Sequence, residues 1–506
     1  MGYNSNLHRV MLVFPPSTSL IGWEPMVTTP MGIAYLASTA REAGYEVACL
    51  DTVVEAPGQE TAVNDTVSRF GLTYDQIINR IAAWKPDVVG LSCIFSNQWP
   101  ATRELARRIK AADPDVIVVA GGGHPTFLPE LCMQDAPFDF IIRGEGEESF
   151  VDLLNRIKGG RPVDSVDGLV YRDGESIRVN PKVNLIGDLD SIPFPAHDLL
   201  DPERYFKLAL PMGYSMMSPR NLPLITSRGC PCLCTFCSST QLWGKRYRTR
   251  SASHVLHELD WLVDKFGIKE IKMHDDNLTI NRKRAADIFR GMIERPYRLR
   301  WNTPNGIAVW TLDKEMLAMM KRSGCYEITM AIESGNQTVL NDLIRKPLKL
   351  DKVREINNAA RELGIFRLSY FIIGFPGETR EQIMDTIRFA RELRLDLGVI
   401  FIYNPLPGSE LFEECLNRGY ITERSFFEVG NQYFSSVVDS DEWTAKELET
   451  MIRWEYLRNY LAIFRSPYLL GRMYYKAFRY RPSFVKSFLR RTSRAIQLKL
   501  TAKPLT

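Results

Sequence analysis

The chain has 506 residues, too many for one ordinary hydrophobic core, so it should divide into two or three domains. Its charged fraction of 25% and apolar fraction of 45% are ordinary for a globular protein, and no run of eighteen apolar residues occurs, so no membrane-spanning helix is expected. The net charge of +4 is uneven: from Tyr456 to Thr506 there are twelve Lys or Arg and no acidic residue, which leaves the preceding part at −8.

Residues 1–165 alternate strand and helix. "RVMLVFPP" from Arg9 is a β-rich run, "MGIAYLASTAREAGY" from Met31 has helical period, and "EVACLD" from Glu46 is again a strand. The pattern repeats in "TYDQIINRIAAWKPD" before "VVGLSCIFS", in "WPATRELARRIKAADPD" before "VIVVAGGGHP", and in "FDFIIRGEGEESF". This predicts a doubly wound, Rossmann-like α/β domain of about 160 residues, whose ligand gathers at the carboxyl ends of the strands. The loops there are "VTTPMG", "SCIFSNQWP", "AGGGHPTF" and "RGEGEESF". "GGGH" is not a dinucleotide fingerprint, because G-x-G-x-x-G does not follow the first strand, and Gly121 to Gly123 can equally be a tight strand exit.

Residues 166–215 read as a connector. "DGLVYRDGESIRVNP" predicts a hairpin with an Asp-Gly turn, and "DLDSIPFPAHDLL" is proline-rich, with His197 and Asp198 as capping or turn residues.

Residues 216–420 resume the βα alternation. "PLITSR" delivers the loop "GCPCLCTFC", in which Cys230, Cys234 and Cys237 make C-x3-C-x2-C and Cys232 lies out of register. Zinc fits poorly, since no second Cys or Cys/His pair follows at a suitable spacing. Disulfides at this spacing would be out of place in a reducing compartment, and the N-terminus carries no signal-peptide pattern. A [4Fe-4S] cluster on three thiolates keeps one iron open for another ligand. Further strands are expected at "EIKMHDDNLTI", "RWNTPNGIAVW", "YEITMAIESGNQ", "RLSYFIIGFPGET" and "GVIFIYNPLPGSELF". The repeated unit predicts a full or partial TIM-type barrel with its site at the carboxyl-terminal mouth, where the cysteine loop also lands. Tyr403 and Asn404 reach the same mouth or serve core and turn roles.

The cysteine motif, with Phe236 before its last cysteine, resembles the radical S-adenosylmethionine (SAM) superfamily, in which the open iron chelates SAM. Together with "TPMGIAYLAS", "VGLSCIFSNQ", "GGGHPT" and "RGEGEESF", it resembles the cobalamin (B12)-dependent radical SAM enzymes over about residues 5 to 420. The resemblance implies a partial (β/α)6 barrel and three cofactors: a [4Fe-4S] cluster on Cys230, Cys234 and Cys237, SAM, and cobalamin.

Phe236, Asp276, Asn277, Glu333, Ser334, Gly374 and Gly377 occupy positions that suit SAM. "AIESGNQ" resembles the ribose motif, Gly374 and Gly377 leave room for a flat adenine, and "HDDNLTI", which also contains Asp275, stands where the family has Gly-Gly-Glu. For each, the alternative is a helix cap or tight turn. Thr29, Pro30, Gly32, Ser92, Ser96, Asn97, Gln98, Gly121, Gly122, His124, Arg143 and Glu145 are the cobalamin candidates. None of the six histidines lies in D-x-H-x-x-G, so the resemblance implies cobalt without a histidine below it, a residue from Phe95 to Trp99 under that face, and His124 as a hydrogen-bonding or loop residue.

Residues 421–506 predict a helical region with a basic amphipathic tail. "DEWTAKELETMIRWEYLRNYLAIF" is helical, and the cations beyond Pro467 are interleaved with Tyr, Phe and Leu. Such a tail can lie on an anionic membrane, cover a site, or pack on the barrel, and it has no nucleic-acid-binding module beside it.

The implied activity is a class B methyltransferase that moves a methyl group from SAM, through methylcobalamin, to an unactivated carbon of a small-molecule intermediate. The tail tilts that substrate toward something hydrophobic or membrane-associated. A low-potential flavodoxin or ferredoxin would supply electrons, and the expected location is cytoplasmic, with the inner membrane face within reach of the tail. The alternatives are a non-methylating cobalamin radical SAM cyclase or rearrangement enzyme, and a cobalamin- or redox-binding protein without catalysis.

Overall fold

The computed structural model describes residues 7–20, 27–64, 67–208, 216–422 and 436–465. The first sheet contains β1 (Arg9–Phe14), β2 (Glu46–Asp51), β3 (Val88–Ser92), β4 (Ile117–Gly121), β5 (Phe140–Ile142), β6 (Leu169–Asp173) and β7 (Ser176–Val179). Their order is β7-β6-β5-β4-β3-β1-β2, parallel from β5 to β2. That is a doubly wound arrangement whose strand order reverses at β1/β3.

A parallel sheet must be covered on both faces, and the sequence supplies both. Val10, Leu12 and Val119 pack under the helices Met31–Glu42 and Glu147–Lys158, while Met11, Val89 and Val118 pack under Tyr74–Trp84 and Trp99–Ala112. The expected Asp-Gly hairpin forms as β6 and β7, with Gly174 in the left-handed region at φ +62°. It pairs antiparallel with β5 and therefore continues this sheet. A small three-stranded sheet of Ser17–Leu20, Glu60–Ala62 and Val67–Phe70 was not expected, because these segments are too short and polar to show alternation.

The second sheet contains β8 (Asn221–Leu224), β9 (Glu270–Met273), β10 (Arg300–Asn302), β11 (Cys325–Glu333), β12 (Phe366–Ile373) and β13 (Leu397–Ile402), in sequence order. All neighbours are parallel, and β8 does not pair with β13, so this is the partial six-stranded barrel that the resemblance implied.

Strand registers sort its two faces. Ile271 pairs with Trp301, whose ring stacks on Phe289 of the outer helix Arg282–Glu294 at 5.1 Å. Lys272 pairs with Asn302 and Asn302 with Glu327, all on the opposite, inner face. The lumen is thus polar: Lys272 Nζ binds Glu270 Oε1 at 2.6 Å, and Asn302 donates to Glu327 at 2.9 Å.

The helix Ala445–Arg465 docks on the barrel through Leu448 and Ile452, next to Trp443. No described helix is long and apolar enough to cross a membrane. The basic tail beyond residue 465 lies outside the described residues.

Candidate active site

Each end of the cysteine loop is tied down. Before it, Asp275 accepts from the backbone N–H of Thr226 at 3.2 Å and from the Thr226 hydroxyl at 2.7 Å. Within it, Thr235 donates through its N–H to Ile344 O at 3.2 Å and through its hydroxyl to Leu343 O at 3.0 Å. After it, Ser238 donates to Pro407 O at 2.7 Å and Ser239 to Asp276 at 2.5 Å. The loop therefore rests on the carboxyl ends of several strands at once, at the barrel mouth.

All four thiols of the loop are unbridged. Asn277 Nδ2 donates to Cys230 Sγ at 2.9 Å, and the Cys234 carbonyl accepts from Cys237 N at 3.1 Å in a tight turn. A hydrogen bond from Cys232 brings the Cys230 thiol down to about 7, whereas burial raises Cys234 to about 11 and Cys237 to about 12. Three unbridged thiols on one tight loop fit a four-iron cluster, which needs only three thiolates to leave one iron open.

Other SAM candidates gather around the loop, but not all in the expected roles. Asp276 faces Ser239, and burial raises its carboxyl above the ordinary range. Asn277 is engaged with the Cys230 sulfur. Glu333 adopts φ +67° and pairs with Lys346 Nζ at 3.1 Å; both are buried. Ser334, fully buried, bonds Thr386 at 3.1 Å and accepts from Asn336 N, as a turn residue does. Phe236 packs on Phe375 at 5.7 Å, and Phe375 on Tyr403 at 5.0 Å. Asn404 accepts from Val437 N at 3.2 Å.

On its Cβ side Gly374 faces the chain's own C-terminal helix. A Cβ there would lie 2.3 Å from Leu448 and 3.4 Å from Trp443, so the missing side chain makes room for the chain's own C-terminal helix. Gly377 donates to Glu442 at 3.3 Å.

On the first domain the rim is equally mixed. Thr29 Oγ1 and Asn97 Oδ1 are buried and find no partner among the described residues. Pro30 caps the helix at Met31, and Gly32 has open space beside it. Ser92 closes β3. Orphaned acceptors near the β1/β3 switch point suit the amide groups that fringe a corrin, so these residues fit cobalamin.

Others on the rim hold the fold. Gln98 accepts from Ile94 N at 2.9 Å and from Phe95 N at 3.2 Å. A Cβ on Gly122, at φ +110°, would lie 2.5 Å from Cys93 O, and β4 ends at Gly121, so the strand-exit role holds there. His124 Nδ1 meets Ser96 Oγ at 3.0 Å, and burial lowers its pKa to about 3, which keeps it neutral. Arg143 donates to Thr126 O at 3.2 Å and Asn180 O at 3.4 Å. Glu145 departs most from expectation: its carboxylate is spent on Arg228 and Arg248 of the second domain.

Sequence reasoning missed Lys346, whose ammonium pairs with the buried Glu333 near Cys234 and Cys237 and is held in its charged form by that carboxylate against the pull of burial. It lies in a stretch, "IRKPLK", that reads as an ordinary basic turn.

Comparison with known proteins agrees with this geometry. Residues 25–154 match the B12 binding domain and residues 224–390 the Radical SAM superfamily. The chain is 35% identical to cytidylyl-2-hydroxyethylphosphonate methyltransferase of Streptomyces wedmorensis, over 82% of each chain. It is 33% identical to an uncharacterized methyltransferase of Pyrococcus horikoshii, over 90% of this chain and 92% of that one. Its fold matches the radical SAM methyltransferase TsrM of Kitasatospora setae, solved with cobalamin and a [4Fe-4S] cluster, at a TM-score of 0.65 and 17% identity over 81% and 78% of the two chains. The chain belongs to the cobalamin-dependent radical SAM methyltransferase family.

Proposed function

We propose that the chain methylates an unactivated carbon of a small polar substrate held between the barrel mouth and the cobalamin rim. The observation that supports this reading is a close contact between the two domains beside the cysteine loop. The Phe127 ring of the first domain lies where a Cβ on Gly408 of the barrel would be, 2.5 Å away, and the loop of Gly408 is the one that anchors Ser238.

In this family the cluster with SAM supplies hydrogen-abstracting radical chemistry, and cobalamin supplies the methyl group. The residues of this chain position and shield. Asn277 fixes the Cys230 sulfur, and Lys346 with Glu333 places a buried ion pair near the other two thiols. Ile94 and Phe95 on one rim, and Leu233 and Leu406 on the other, offer exposed apolar walls that exclude water once the cavity is filled.

A polar substrate is favoured over the hydrophobic one that the tail suggested. The tail that suggested the hydrophobic substrate is outside the described residues. The relative named for cytidylyl-2-hydroxyethylphosphonate supports a cytidylylated phosphonate. The test is to offer cytidylyl-2-hydroxyethylphosphonate, free 2-hydroxyethylphosphonate and a polycyclic terpenoid to the reconstituted protein with methyl-labelled SAM. Labelled phosphonate product is expected, and label on the terpenoid alone would overturn the reading.

A further inference from the structure

Four buried charges cross the boundary between the two domains. Glu145 and Glu147 follow β5 on the rim of the first domain, Glu147 opening the helix Glu147–Lys158. Arg228 stands two residues before Cys230, and Arg248 faces it across the two-residue pairing of Ser227–Arg228 with Arg248–Thr249. Arg228 Nη1 reaches Glu145 at 3.0 Å and its Nη2 reaches Glu147 at 2.5 Å, while Arg248 Nη1 reaches the other Glu145 oxygen at 2.7 Å. The four side chains are between 1% and 8% exposed.

The surroundings fix the network further. Arg248 also donates to Ile186 O at 2.7 Å and Trp243 O at 2.8 Å, and Glu145 accepts from Ile186 N at 2.9 Å. The Arg228 guanidinium lies over Tyr35 of the first domain at 5.3 Å and over Trp243 at 5.0 Å. Two acids and two guanidiniums balance in charge.

Burying four charges is a poor way to gain stability, because desolvation consumes most of what the pairing returns. What such a network does well is specify one arrangement. Sliding one domain past the other by a single residue would leave buried charges facing apolar or like-charged groups. Methyl transfer between two cofactors on different domains needs that kind of register, since a misplacement of about 1 Å can cost on the order of 10²-fold in rate.

We propose that Glu145, Glu147, Arg228 and Arg248 are positioning residues that set the distance between cobalt and the iron-sulfur cluster by locking the cysteine-loop strand to the cobalamin rim. None of the four touches substrate in this account. They act through the backbone of residues 228–230 on one side and 145–147 on the other. The inference rests on the family's two cofactors but not on the substrate reading, and its test needs no substrate, so the two can fail separately.

The test uses the full chain reconstituted with cluster and cobalamin. Glu147→Gln removes one charge while keeping an acceptor, and Arg228→Lys keeps the charge while losing the planar fork. Iron and cobalamin contents, thermal midpoint, and the magnetic coupling between cob(II)alamin and the reduced cluster by electron paramagnetic resonance are measured for each. The expected result is cofactor content within about twofold of the parent together with a changed or broadened coupling. A coupling identical to the parent with a lowered thermal midpoint would overturn the proposal and leave the network as a stabilising contact. Should either variant fail to fold, Arg248→Lys, which keeps a cation facing Glu145, is read by the same coupling and the same two outcomes.

Discussion

The two sheets bury opposite things. In the first, both faces are apolar, and Val10, Val88, Val89 and Val118 are wholly buried. In the second, the outer face is apolar but the inner face carries Lys272, Asn302 and Glu327, each 1% exposed or less. A doubly wound sheet is a platform that offers a ligand its strand ends, so its interior can be filled for packing alone. An open barrel surrounds its site, so its interior is shared between packing and chemistry. Substitutions should therefore separate: in the first sheet's core they should cost stability, and around the barrel mouth they should cost activity.

The sharpest break is at the cysteines. Cys230→Ala, Cys234→Ala or Cys237→Ala should each abolish SAM cleavage, measured as 5′-deoxyadenosine, whereas Cys232→Ala should keep its iron. Iron lost from Cys232→Ala alone would show that the ligand set is wrong.

Lys346→Met should retain iron yet lower SAM cleavage by about 10²-fold, the scale of removing one oriented charge from a water-poor site. It also leaves Glu333 buried without its partner, at a stability cost of about 3–5 kcal/mol. Unchanged cleavage would return Lys346 to a purely structural role.

Phe140→Ala, in the core of the first sheet, should cost about 3–5 kcal/mol in denaturant unfolding, with activity per folded molecule unchanged. A selective loss of methyl transfer in that variant would break the distinction between the two interiors.

The smallest effect concerns Glu378. Burial raises its carboxyl from 4.5 to about 8, against the opposing hydrogen bonds from Gly374 N and Phe375 N. The folded state holds this proton more tightly than the unfolded chain, so the contribution to stability is complete below about pH 4.5 and is lost as pH rises through about 8. Glu378→Gln should flatten that part of the stability profile, read as thermal midpoint against pH.

Legibility in the sequence followed the physics of each feature. The cysteine spacing is a local pattern, and the alternation behind β1 to β5 is a periodicity, so both could be read from residues near one another. Most of the barrel strands showed the same way. The side-chain partners could not be read, because they depend on what lies across the fold. Asn277 was expected on SAM and holds Cys230, 47 residues away. Glu145 was expected on cobalamin and meets Arg248, 103 residues away. Gly374 has the freedom that a flat ligand would need, and Leu448 uses it. In each case the residue type was compatible with several partners, and only the packing of distant segments chose one. Lys346 stood in no motif at all.

The most direct test of the central claim is made anaerobically, on the full chain reconstituted with iron, sulfide and cobalamin, by adding reductant and methyl-labelled SAM and following two products. The account predicts label on cobalamin and 5′-deoxyadenosine from the same preparation. Cobalamin that binds and stays unlabelled while 5′-deoxyadenosine forms would contradict it.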